Sequence, residues 1–420
     1  MNPLIERLRP YPFERLRELL ADCKPPAHLD PIDLSIGEPK HATPALVLDA
    51  LTAALPSLSS YPKTTGSDAL RASIGNWLAH RYRLSKLDPF GQVLPVTGSR
   101  EALFAFAQAM LDARAGQRVV LPNPGYQIYE GATLLAGGEP IYLPVTADSG
   151  FRMPFERVSP EQWKQVALVY TCSPGNPTGA VLPLSQWRDL FERADRCGFV
   201  IAADECYSEI YPDPCQPPLG ALQAAAELGR DGFSRLVVFG SLSKRSSAPG
   251  LRSGYVAGDA RLLAAFLRYR TYHGCAMSPA VQAASIAAWN DQAHVEDNRR
   301  RYAVKFAQAT PVIASVLPTT VPEGGFYLWA RTPGDDCDYA RHLYAHGNVT
   351  VLPGSFLGRE IDGINPGSGF VRIALVAEEA QVREAARRIA QLGVDTEVRR
   401  SDRAAKTATH AVSSVSSAGK

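Results

Sequence analysis

The chain has 420 residues, of which 45% are hydrophobic and 20% are charged, with 44 basic and 42 acidic side chains and a net charge of +2. This near balance gives no electrostatic argument for binding nucleic acid or an anionic membrane, and no apolar run approaches the roughly 20 residues that cross a bilayer. The N-terminus lacks the apolar core of a secretory signal, and the seven cysteines form no C-x-x-C pair and have no histidines at zinc spacing, so we expect a cytoplasmic protein with reduced thiols and no metal.

The first elements along the chain are helical and then extended. Leucines recur at helical intervals over the first 30 residues, which predicts an amphipathic helical arm, and the extended piece "IDLSIGEPKHATP" follows. The middle of the chain alternates helical patterns with short apolar runs, which we interpret as strands: "QVLPVTG", "QRVVLPNPG", "EPIYLPV", "VALVYTCSPGNP", "FVIAADE", "RLVVFGS" and "GYVAG". This alternation predicts an α/β fold around a mainly parallel, buried sheet.

After about residue 290 the pattern changes to a long helix, short strands and a final helix in "EEAQVREAARRIAQLG", which predicts a separate α+β layer. We therefore expect an N-terminal arm with part of a small domain over residues 1–45, a large domain over 46–290 and a small C-terminal domain over 291–395. Residues 396–420 are rich in Ala, Ser and Thr and poor in apolar side chains, which predicts a disordered tail.

Polar side chains follow the predicted strands at their carboxyl ends, where α/β sheets bind ligands. They include Ser99, Asn123, Asn176, Asp204 and the residues 241–244. No G-x-G-x-x-G follows a strand, and the chain contains no G-x-x-x-x-G-K-[ST], so the sequence gives no support for a dinucleotide or a nucleoside triphosphate.

Lys244 follows an apolar strand in "GSLSKRSSAPGLRSG". A lysine amine is protonated up to about pH 10, but an apolar surrounding and the nearby cations Arg245 and Arg252 would lower its pKa and favour the free amine that Schiff-base chemistry needs. Ser241, Ser243 and Arg252 offer hydroxyl groups and a planar guanidinium, which suit a phosphate. The alternative is an ordinary surface lysine in a solvated loop.

Asp204 ends the strand "FVIAAD", where an unpaired carboxylate is costly to bury. It either caps the next turn or faces a cationic partner such as a protonated ring nitrogen. Tyr207, three residues later, would then lie near the same ligand.

Arg372 stands inside the otherwise apolar "GFVRIALV". A buried arginine needs a carboxylate. That carboxylate is either the protein's own, in an internal ion pair, or the α-carboxylate of a substrate held by a bidentate clamp.

Three further segments are weaker signals when each is taken alone. Asn176 lies in the turn "TCSPGNPTG". Ser99 and Arg100 begin a helix after "VTG", where their N–H groups would form an anion seat or Ser99 would simply be the N-cap. Tyr126, in "NPGYQIY", is either a core aromatic residue or a stacking platform for a flat ring.

Taken in order, these segments resemble the fold-type I, pyridoxal-phosphate-dependent class I and II aminotransferases over roughly residues 30–395. The resemblance is carried by "YPKTTG", "VTGSREALF", "NPGYQIY", "CSPGNPTG", "ADECYSEIY", "SLSKRSSAPGLRSG", "EGGFYLW" and "GFVRIALV". It implies a large cofactor-binding domain with a mainly parallel seven-stranded sheet flanked by helices, a smaller α+β domain, and pyridoxal 5'-phosphate as the cofactor.

The resemblance also implies a role for each candidate residue. Lys244 would form the internal aldimine and then carry the substrate's proton, and Asp204 would keep the pyridine nitrogen protonated so that the ring accepts electrons. The other implied roles are hydrogen bonds from Asn176 and Tyr207 to the ring 3-oxygen, stacking by Tyr126, phosphate binding by Ser99, Arg100, Ser241, Ser243 and Arg252, and α-carboxylate binding by Gly37, Asn176 and Arg372. Tyr61 would reach the phosphate of a neighbouring subunit, which implies a homodimer with shared active sites.

Within this family the chain looks most like the proteobacterial succinyldiaminopimelate transaminases, on the segments "MNPLIERLRPYPFERLRELL", "LSIGEPKHATP" and "PEGGFYLWA". That likeness implies an amino-group exchange between glutamate and N-succinyl-2-amino-6-oxopimelate in lysine biosynthesis. No residue is assigned to the succinyl group. Arg270, His273 and Lys63 are candidates for a distal carboxylate, with structural roles as the alternative.

Other functions stay open at this point. A class I aminotransferase for aspartate, aromatic or branched amino acids or alanine would carry the same motifs, and a pyridoxal-phosphate-dependent C–S lyase would use the same lysine. A cofactor-binding transcription regulator is disfavoured, because only about 30 residues precede "LSIGEP" and a helix-turn-helix domain needs more.

Overall fold

The structure, a computed structural model, describes residues 1–393. The strands are β1 (Ile32–Asp33), β2 (Val93–Val96), β3 (Arg118–Asn123), β4 (Glu139–Pro144), β5 (Val166–Cys172), β6 (Val200–Asp204), β7 (Leu236–Ser241), β8 (Gly254–Gly258), β9 (Tyr327–Arg331), β10 (Val349–Thr350), β11 (Leu352–Pro353) and β12 (Phe370–Ala374). The helices are α1 (Pro12–Leu20), α2 (Ala45–Ala53), α3 (Asp68–Tyr82), α4 (Ser99–Met110), α5 (Gln127–Leu135), α6 (Pro160–Trp163), α7 (Leu184–Cys197), α8 (Ala221–Glu227), α9 (Leu242–Arg245), α10 (Ala260–His273), α11 (Pro279–Asn290), α12 (Ala293–Ala314) and α13 (Asp336–Gly347), and residues 379–393 are also helical.

The apolar runs in the middle of the chain form one seven-stranded sheet in the order β2-β8-β7-β6-β5-β3-β4. The strands from β4 across to β7 pair in parallel, whereas β8 runs antiparallel to both of its neighbours, β2 and β7. The predicted mainly parallel α/β sheet is therefore confirmed, with β8 as the reversed strand.

This sheet is buried on both faces, which explains why its strands read as continuous apolar runs. Successive residues alternate between two core clusters. One contains Val120, Val169, Ile201 and Val238, and the other contains Val119, Leu168, Ala202 and Val237. Every residue of β7 is buried, so packing on both sides fixes the position at which the chain leaves this strand.

The C-terminal part forms the predicted second layer. β11, β12 and β9 make a three-stranded antiparallel sheet, and β1 from the N-terminal part pairs in parallel with β10. Their shared core includes Leu328, Val371, Ile373 and Phe306 from α12. The domain boundaries at residues 45, 290 and 395 stay a prediction, and the predicted tail over 396–420 lies outside the described residues.

The N-terminal arm consists of two helical pieces rather than one helix. A short 3-10 helix covers Pro3–Arg7, and α1 begins at Pro12. Proline is tolerated at the first position of a helix but not in its interior, so Pro10 and Pro12 separate the two pieces. Leu16 is buried against Trp329 and Phe356, which attaches α1 to the three-stranded sheet. In residues 1–393 no helix combines the length and apolar character needed to span a membrane.

Candidate active site

A cavity of about 630 Å³ opens at the carboxyl ends of β5, β6 and β7. Its walls contain nearly all of the candidate residues: Gly37, Ser99, Arg100, Tyr126, Asn176, Asp204, Tyr207, Ser241, Ser243, Lys244, Arg252 and Arg372. Tyr61 does not line this cavity and is fully exposed, so its expected role at a neighbouring subunit stays a prediction. The fold thus brings together residues that lie more than 330 positions apart, from Gly37 to Arg372.

Lys244 lies in the four-residue helix α9, directly after β7. Its Nζ donates a hydrogen bond of 2.5 Å to the carbonyl oxygen of Gly37. Burial is the main cause that lowers the pKa of this amine to about 8, and the cations Arg372 and Arg100 act in the same direction. An amine with this pKa is partly neutral near neutral pH and can act as a nucleophile or base.

Arg245 and Arg252, which we expected to lower the pKa of Lys244, are not among the main causes of its shift. Arg245 points away from the cavity and packs against the rings of Trp77 and Trp289, with its guanidinium carbon 5.2 and 4.8 Å from their centroids. On a helix, adjacent residues face different directions, which places Arg245 behind the turn that carries Lys244. Arg252 lines the cavity and donates to the carbonyl oxygen of Pro249 at 3.0 Å.

Asp204 forms the floor of the cavity at the end of β6. Its Oδ2 accepts a 2.6 Å hydrogen bond from the Tyr129 hydroxyl, and its Oδ1 accepts one of 3.2 Å from the Cys206 N–H. The capping alternative is therefore observed, whereas a cation facing this carboxylate stays a prediction, because Asp204 forms no ion pair among residues 1–393. Burial raises the pKa of this carboxyl group. A cation at this floor would stabilise its charged form.

Tyr129 was missed in the sequence. It lies on α5, three residues after the N-cap Tyr126, and both tyrosines line the cavity. That spacing was an available signal, because Tyr126 had already been placed near the ligand.

Arg372 is buried on β12 with 3% of its surface exposed. Its Nη1 donates to the Asn176 side-chain oxygen at 2.9 Å, and its Nη2 donates to the Ser35 carbonyl oxygen at 2.8 Å. Its Nε has no partner, and within the described part of the chain no carboxylate forms an ion pair with it. The internal ion pair is thus excluded for those residues, and the guanidinium stays available for the carboxylate of a ligand.

Gly37 lies directly against Tyr327, because a Cβ atom at position 37 would stand 1.9 Å from the Tyr327 hydroxyl. Tyr327 in turn contacts Tyr207, with 3.0 Å between the two hydroxyl oxygens, and its ring lies 4.4 Å from the guanidinium carbon of Arg372. Tyr327 belongs to the quoted segment "EGGFYLW" but received no role from the sequence. Its place in the cavity depends on the pairing of β9 with β12.

The opposite end of the cavity is suited to an anion. Ser99 and Arg100 are the first two residues of α4, so their N–H groups have no partner within the helix. Gly98, with φ of 93°, is the N-cap, which rules out Ser99 as the cap. The positive φ favours glycine at position 98, and a Cβ atom there would stand 2.2 Å from the Arg252 guanidinium, which would have to shift.

Two serines complete this end. The Ser241 hydroxyl donates to the Ser243 hydroxyl at 2.9 Å, and it accepts from the Ser243 N–H at 3.1 Å. Together with Arg252 and the free end of α4, they supply the hydroxyl groups, the N–H groups and the guanidinium that a phosphate group prefers.

The outer rim of the cavity contains residues that the sequence did not indicate. The exposed side chain of Arg100 lines the cavity and donates to the Tyr126 hydroxyl at 2.7 Å and to the Tyr11 hydroxyl at 3.0 Å. Tyr11 and Phe13 come from the N-terminal arm and line the cavity beside Leu357. No local pattern identifies them, because their position depends on how α1 docks onto the three-stranded sheet. Neither Arg270, which pairs with Glu101, nor the residues His273 and Lys63 line this chain's cavity.

Comparisons with known proteins are consistent with this geometry. Residues 30–389 match the family model described as aminotransferase class I and II. The chain is similar to the LL-diaminopimelate aminotransferase of Nitratidesulfovibrio vulgaris (strain DP4), with 31% identity over 394 residues that cover 92% of this chain and 97% of the relative.

Solved structures show the same likeness. An aminotransferase from Neisseria meningitidis Z2491 superposes with a TM-score of 0.90 and 51% identity, over 93% of this chain and 100% of that one. A probable N-succinyldiaminopimelate aminotransferase from Thermus thermophilus superposes with a TM-score of 0.80 and 25% identity, over 90% of this chain and 99% of that one.

Proposed function

Because this chain belongs to the class I and II aminotransferases, it is a pyridoxal-phosphate-dependent transaminase, and we propose that it exchanges an amino group between N-succinyl-LL-2,6-diaminopimelate and 2-oxoglutarate in lysine biosynthesis. The predicted family, fold type I and cofactor are thereby confirmed. One observation carries the proposal: the amine of Lys244, the carboxylate of Asp204 without a cation, and the guanidinium of Arg372 without a carboxylate meet in one cavity.

The residues of the cavity fit pyridoxal phosphate. Asp204 is buried and has no cationic partner within residues 1–393, which suits a protonated ring nitrogen, and the start of α4 forms a cradle for a phosphate dianion. We assign the phosphate to Ser99, Arg100, Ser241, Ser243 and Arg252, the ring face to Tyr126, and the ring 3-oxygen to Asn176 and Tyr207.

When bound, pyridoxal phosphate supplies an aldehyde that condenses with amines and a ring that accepts the electrons of the substrate's Cα–H bond. Lys244 would hold the cofactor through its amine, and its Nζ, once released, would move the substrate's α-proton. The lowered pKa near 8 leaves part of the free amine neutral, as both tasks require. Asp204 would hold a proton on the ring nitrogen, and Tyr129 fixes the orientation of that carboxylate.

The substrate's α-carboxylate is assigned to Arg372, assisted by Asn176 and the close approach of the backbone at Gly37. A guanidinium binds a carboxylate through two parallel hydrogen bonds, which fixes the substrate's orientation as well as its affinity. Because Nη1 of Arg372 already contacts Asn176, the amide side chain of Asn176 sits where it can contact both the substrate and the cofactor.

The preference for an acidic substrate is supported by the rim. The Arg100 guanidinium has only hydroxyl partners, Tyr126 and Tyr11, and forms no ion pair within residues 1–393. A second cation facing the cavity favours substrates with a second carboxylate. Beyond the carboxylate next to the reacting centre, 2-oxoglutarate has one more and N-succinyldiaminopimelate has two. The names of the relatives from Nitratidesulfovibrio vulgaris and Thermus thermophilus point to diaminopimelate substrates.

We also propose a homodimer with shared active sites. α2 and the 3-10 helix after it expose Leu48, Leu55 and Leu58, each about half exposed, and the fully exposed Tyr61 follows. Apolar side chains clustered on one surface are typical of an interface between proteins. Pairing through this surface would allow Tyr61 to reach the phosphate of the neighbouring subunit. The cytoplasmic location stays a prediction.

A half-reaction assay tests the proposed substrate. The purified protein, loaded with pyridoxal phosphate, is mixed with one amino donor at a time, and the absorbance of the cofactor reports its conversion to the amine form. The donors are N-succinyl-LL-2,6-diaminopimelate, LL-2,6-diaminopimelate, glutamate, aspartate, phenylalanine and alanine. We expect N-succinyl-LL-2,6-diaminopimelate and glutamate to react fastest, and 2-oxoglutarate to restore the starting spectrum.

Two outcomes would contradict the proposal. A faster reaction with free LL-2,6-diaminopimelate than with its succinyl derivative would assign the chain the substrate named for its curated relative. Release of pyruvate and a thiol from cystathionine, without any oxo acid, would indicate a C–S lyase that uses the same lysine.

A further inference from the structure

A buried polar network lies behind the turn that carries Lys244. Its members are Asn298 and Lys305 on α12 and His41 in the segment between β1 and α2. All three side chains are buried, at 6%, 1% and 8% exposure respectively. None of them lines the cavity, so the transamination mechanism above does not use them.

Asn298 binds the backbone of the lysine turn directly. Its Nδ2 donates to the carbonyl oxygens of Lys244 at 3.1 Å and Arg245 at 3.3 Å. α9 has only four residues, so its last carbonyl groups find no partner within the helix. Asn298 supplies that partner from another element of the fold and thereby fixes the end of α9.

The hydrogen bonds of Asn298 determine which nitrogen of His41 carries a proton. Because both Nδ2 hydrogens point at carbonyl oxygens, the Oδ1 of Asn298 is the acceptor for the Ser247 hydroxyl at 3.1 Å and for His41 Nδ1 at 2.8 Å. His41 therefore carries its proton on Nδ1. Its other nitrogen, Nε2, accepts from the amine of Lys305 at 2.7 Å.

Lys305 maintains this arrangement. Its amine also donates to the Val376 carbonyl oxygen at 3.3 Å, and it has no ion-pair partner in the described part of the chain. A second proton on His41 would face the amine of Lys305 donor to donor, so the network tolerates only the neutral imidazole while Lys305 is charged. Among the other charged groups, Glu378 raises and Arg301 lowers the pKa of both His41 and Lys305, and Glu379 raises that of Lys305.

The same segment also contacts the reactive side of the turn. Gly37, four residues before His41, accepts the hydrogen bond from Lys244 Nζ, and the Thr43 hydroxyl donates to the Ser247 carbonyl oxygen at 2.9 Å. The lysine turn is thus held on the cavity side by Gly37 and on the opposite side by Asn298. His41 is connected to Gly37 by four residues of chain and to Asn298 by a hydrogen bond.

We propose that Asn298 and His41 are positioning residues for Lys244: Asn298 fixes the turn that carries the amine, and His41, held in one tautomer by Lys305, fixes Asn298. This inference rests on the proposed catalytic role of Lys244. A turn that loses these contacts would let the amine shift and would admit water behind it, which favours the charged form of the nitrogen.

The test uses the full-length holoenzyme and two kinds of variant. Asn298→Ala removes the contact with the turn, and Asn290→Ala, an exposed asparagine at the end of α11, is the matched control. At position 41, Asn places its amide near the site of Nδ1 and keeps the bond to Asn298, whereas Gln reaches the site of Nε2 and keeps only the bond to Lys305. The readouts are the pH titration of the bound cofactor's absorbance, which reports protonation of the nitrogen that Lys244 contributes, and kcat and KM.

We expect Asn298→Ala and His41→Gln to raise the midpoint of this titration by about one pH unit and to lower kcat about tenfold, with KM changed less than about twofold. His41→Asn and Asn290→Ala should titrate like the unaltered protein. A wild-type midpoint in Asn298→Ala, or equal shifts in His41→Asn and His41→Gln, would overturn the inference, since the second result would mean that position 41 acts through packing alone.

Two controls separate the possible causes of failure. Thermal melting shows whether each variant folds, and if Asn298→Ala yields no folded holoenzyme, the pair of variants at position 41 decides the question. If Lys244→Ala leaves the cofactor's absorbance titration unchanged, the proposed role of Lys244 itself fails. If Lys244→Ala alters the titration but Asn298→Ala and His41→Gln titrate like the unaltered protein, the role of Lys244 stands and the positioning network alone is wrong.

Discussion

The floor and the rim of the same cavity are built differently. The floor consists of Asp204, the last residue of β6, and Lys244, in the short helix directly after β7, so the register of two buried strands fixes their positions. The rim consists of Tyr11 and Phe13 from the N-terminal arm and the exposed side chain of Arg100. Tyr11 and Phe13 are only partly buried, and the hydrogen bond between Tyr11 and Arg100 joins the arm to α4.

This difference suggests that the two regions have different roles in the reaction. The floor contains the groups that every transamination needs, and a change there should affect all substrates alike. We assign to the rim the part of the substrate that does not react, so a change there should affect one substrate more than another. Substitutions in the two regions therefore test whether the floor affects all substrates and the rim only some of them.

The largest effect is expected at the floor from Lys244→Ala. Without the amine, the protein should keep its fold and bind pyridoxal phosphate only non-covalently, and turnover should fall by about 10⁴-fold or more for every donor. Borohydride reduction followed by mass spectrometry should trap a pyridoxyl adduct on residue 244 of the unaltered protein and none in the variant. Lys164→Ala, at an exposed lysine, is the matched control, and robust turnover by Lys244→Ala would remove the assignment.

Asp204→Asn should have the next largest effect. The amide keeps the shape of the side chain and can still contact Tyr129, but it has no charge to hold a proton on the ring nitrogen. We expect removal of the α-proton to slow about 10³-fold, while cofactor affinity changes much less. Exchange of the substrate's α-proton with deuterated water measures this step, with the exposed Asp148→Asn as control. Equal losses in exchange and in cofactor binding would indicate a structural role instead.

Arg372 joins the two regions, because we assign it to the substrate's carboxylate although it is as buried as the floor. Arg372→Gln should lower kcat/KM about 100-fold for every α-amino acid, which corresponds to roughly 3 kcal/mol, since the substrate carboxylate is then left without its charged partner. Arg372→Lys keeps the charge but not the paired geometry and should recover part of the loss. Steady-state kinetics with glutamate and alanine checks the prediction, and unchanged KM values would exclude the clamp.

The pH dependence of cofactor uptake tests the environment of the floor. Burial lowers the pKa of Lys244 to about 8, so the reactive neutral amine predominates above that pH and is lost as the pH falls. The rate of covalent cofactor uptake by the cofactor-free protein should therefore fall about tenfold per pH unit below about pH 8 and level off above it. Stopped-flow absorbance measures this rate. A rise that continues to about pH 10 would indicate an ordinary exposed lysine.

The same contrast explains what the sequence could predict. Each residue of the floor follows an apolar strand, and parallel strands bring their carboxyl ends to one edge of the sheet, so Asp204 and Lys244 were predicted from local patterns. Tyr11 follows no strand, and its contact with Arg100 spans 89 residues. The polar network of His41, Lys305 and Asn298 joins residues more than 250 positions apart, and nothing in their local sequence indicates it. The orientation of Arg245 away from the cavity likewise depends on where Trp77 and Trp289 pack.

The smallest effect is expected at the rim, and its selectivity matters more than its size. Arg100→Gln keeps the helix N–H groups assigned to the phosphate but removes the guanidinium that faces the cavity. Because this side chain is exposed, we expect only about a fivefold loss of kcat/KM for donors with a distal carboxylate, and none for alanine. Tyr11→Phe should cause a smaller loss of the same selectivity, since it removes one contact of Arg100. Arg114→Gln, at an arginine with a 93% exposed side chain, is the control.

The ratio of kcat/KM between glutamate and alanine is the decisive number. If Arg100→Gln lowers both values equally, the side chain supports the phosphate end and belongs functionally to the floor, and the second carboxylate must be recognised elsewhere.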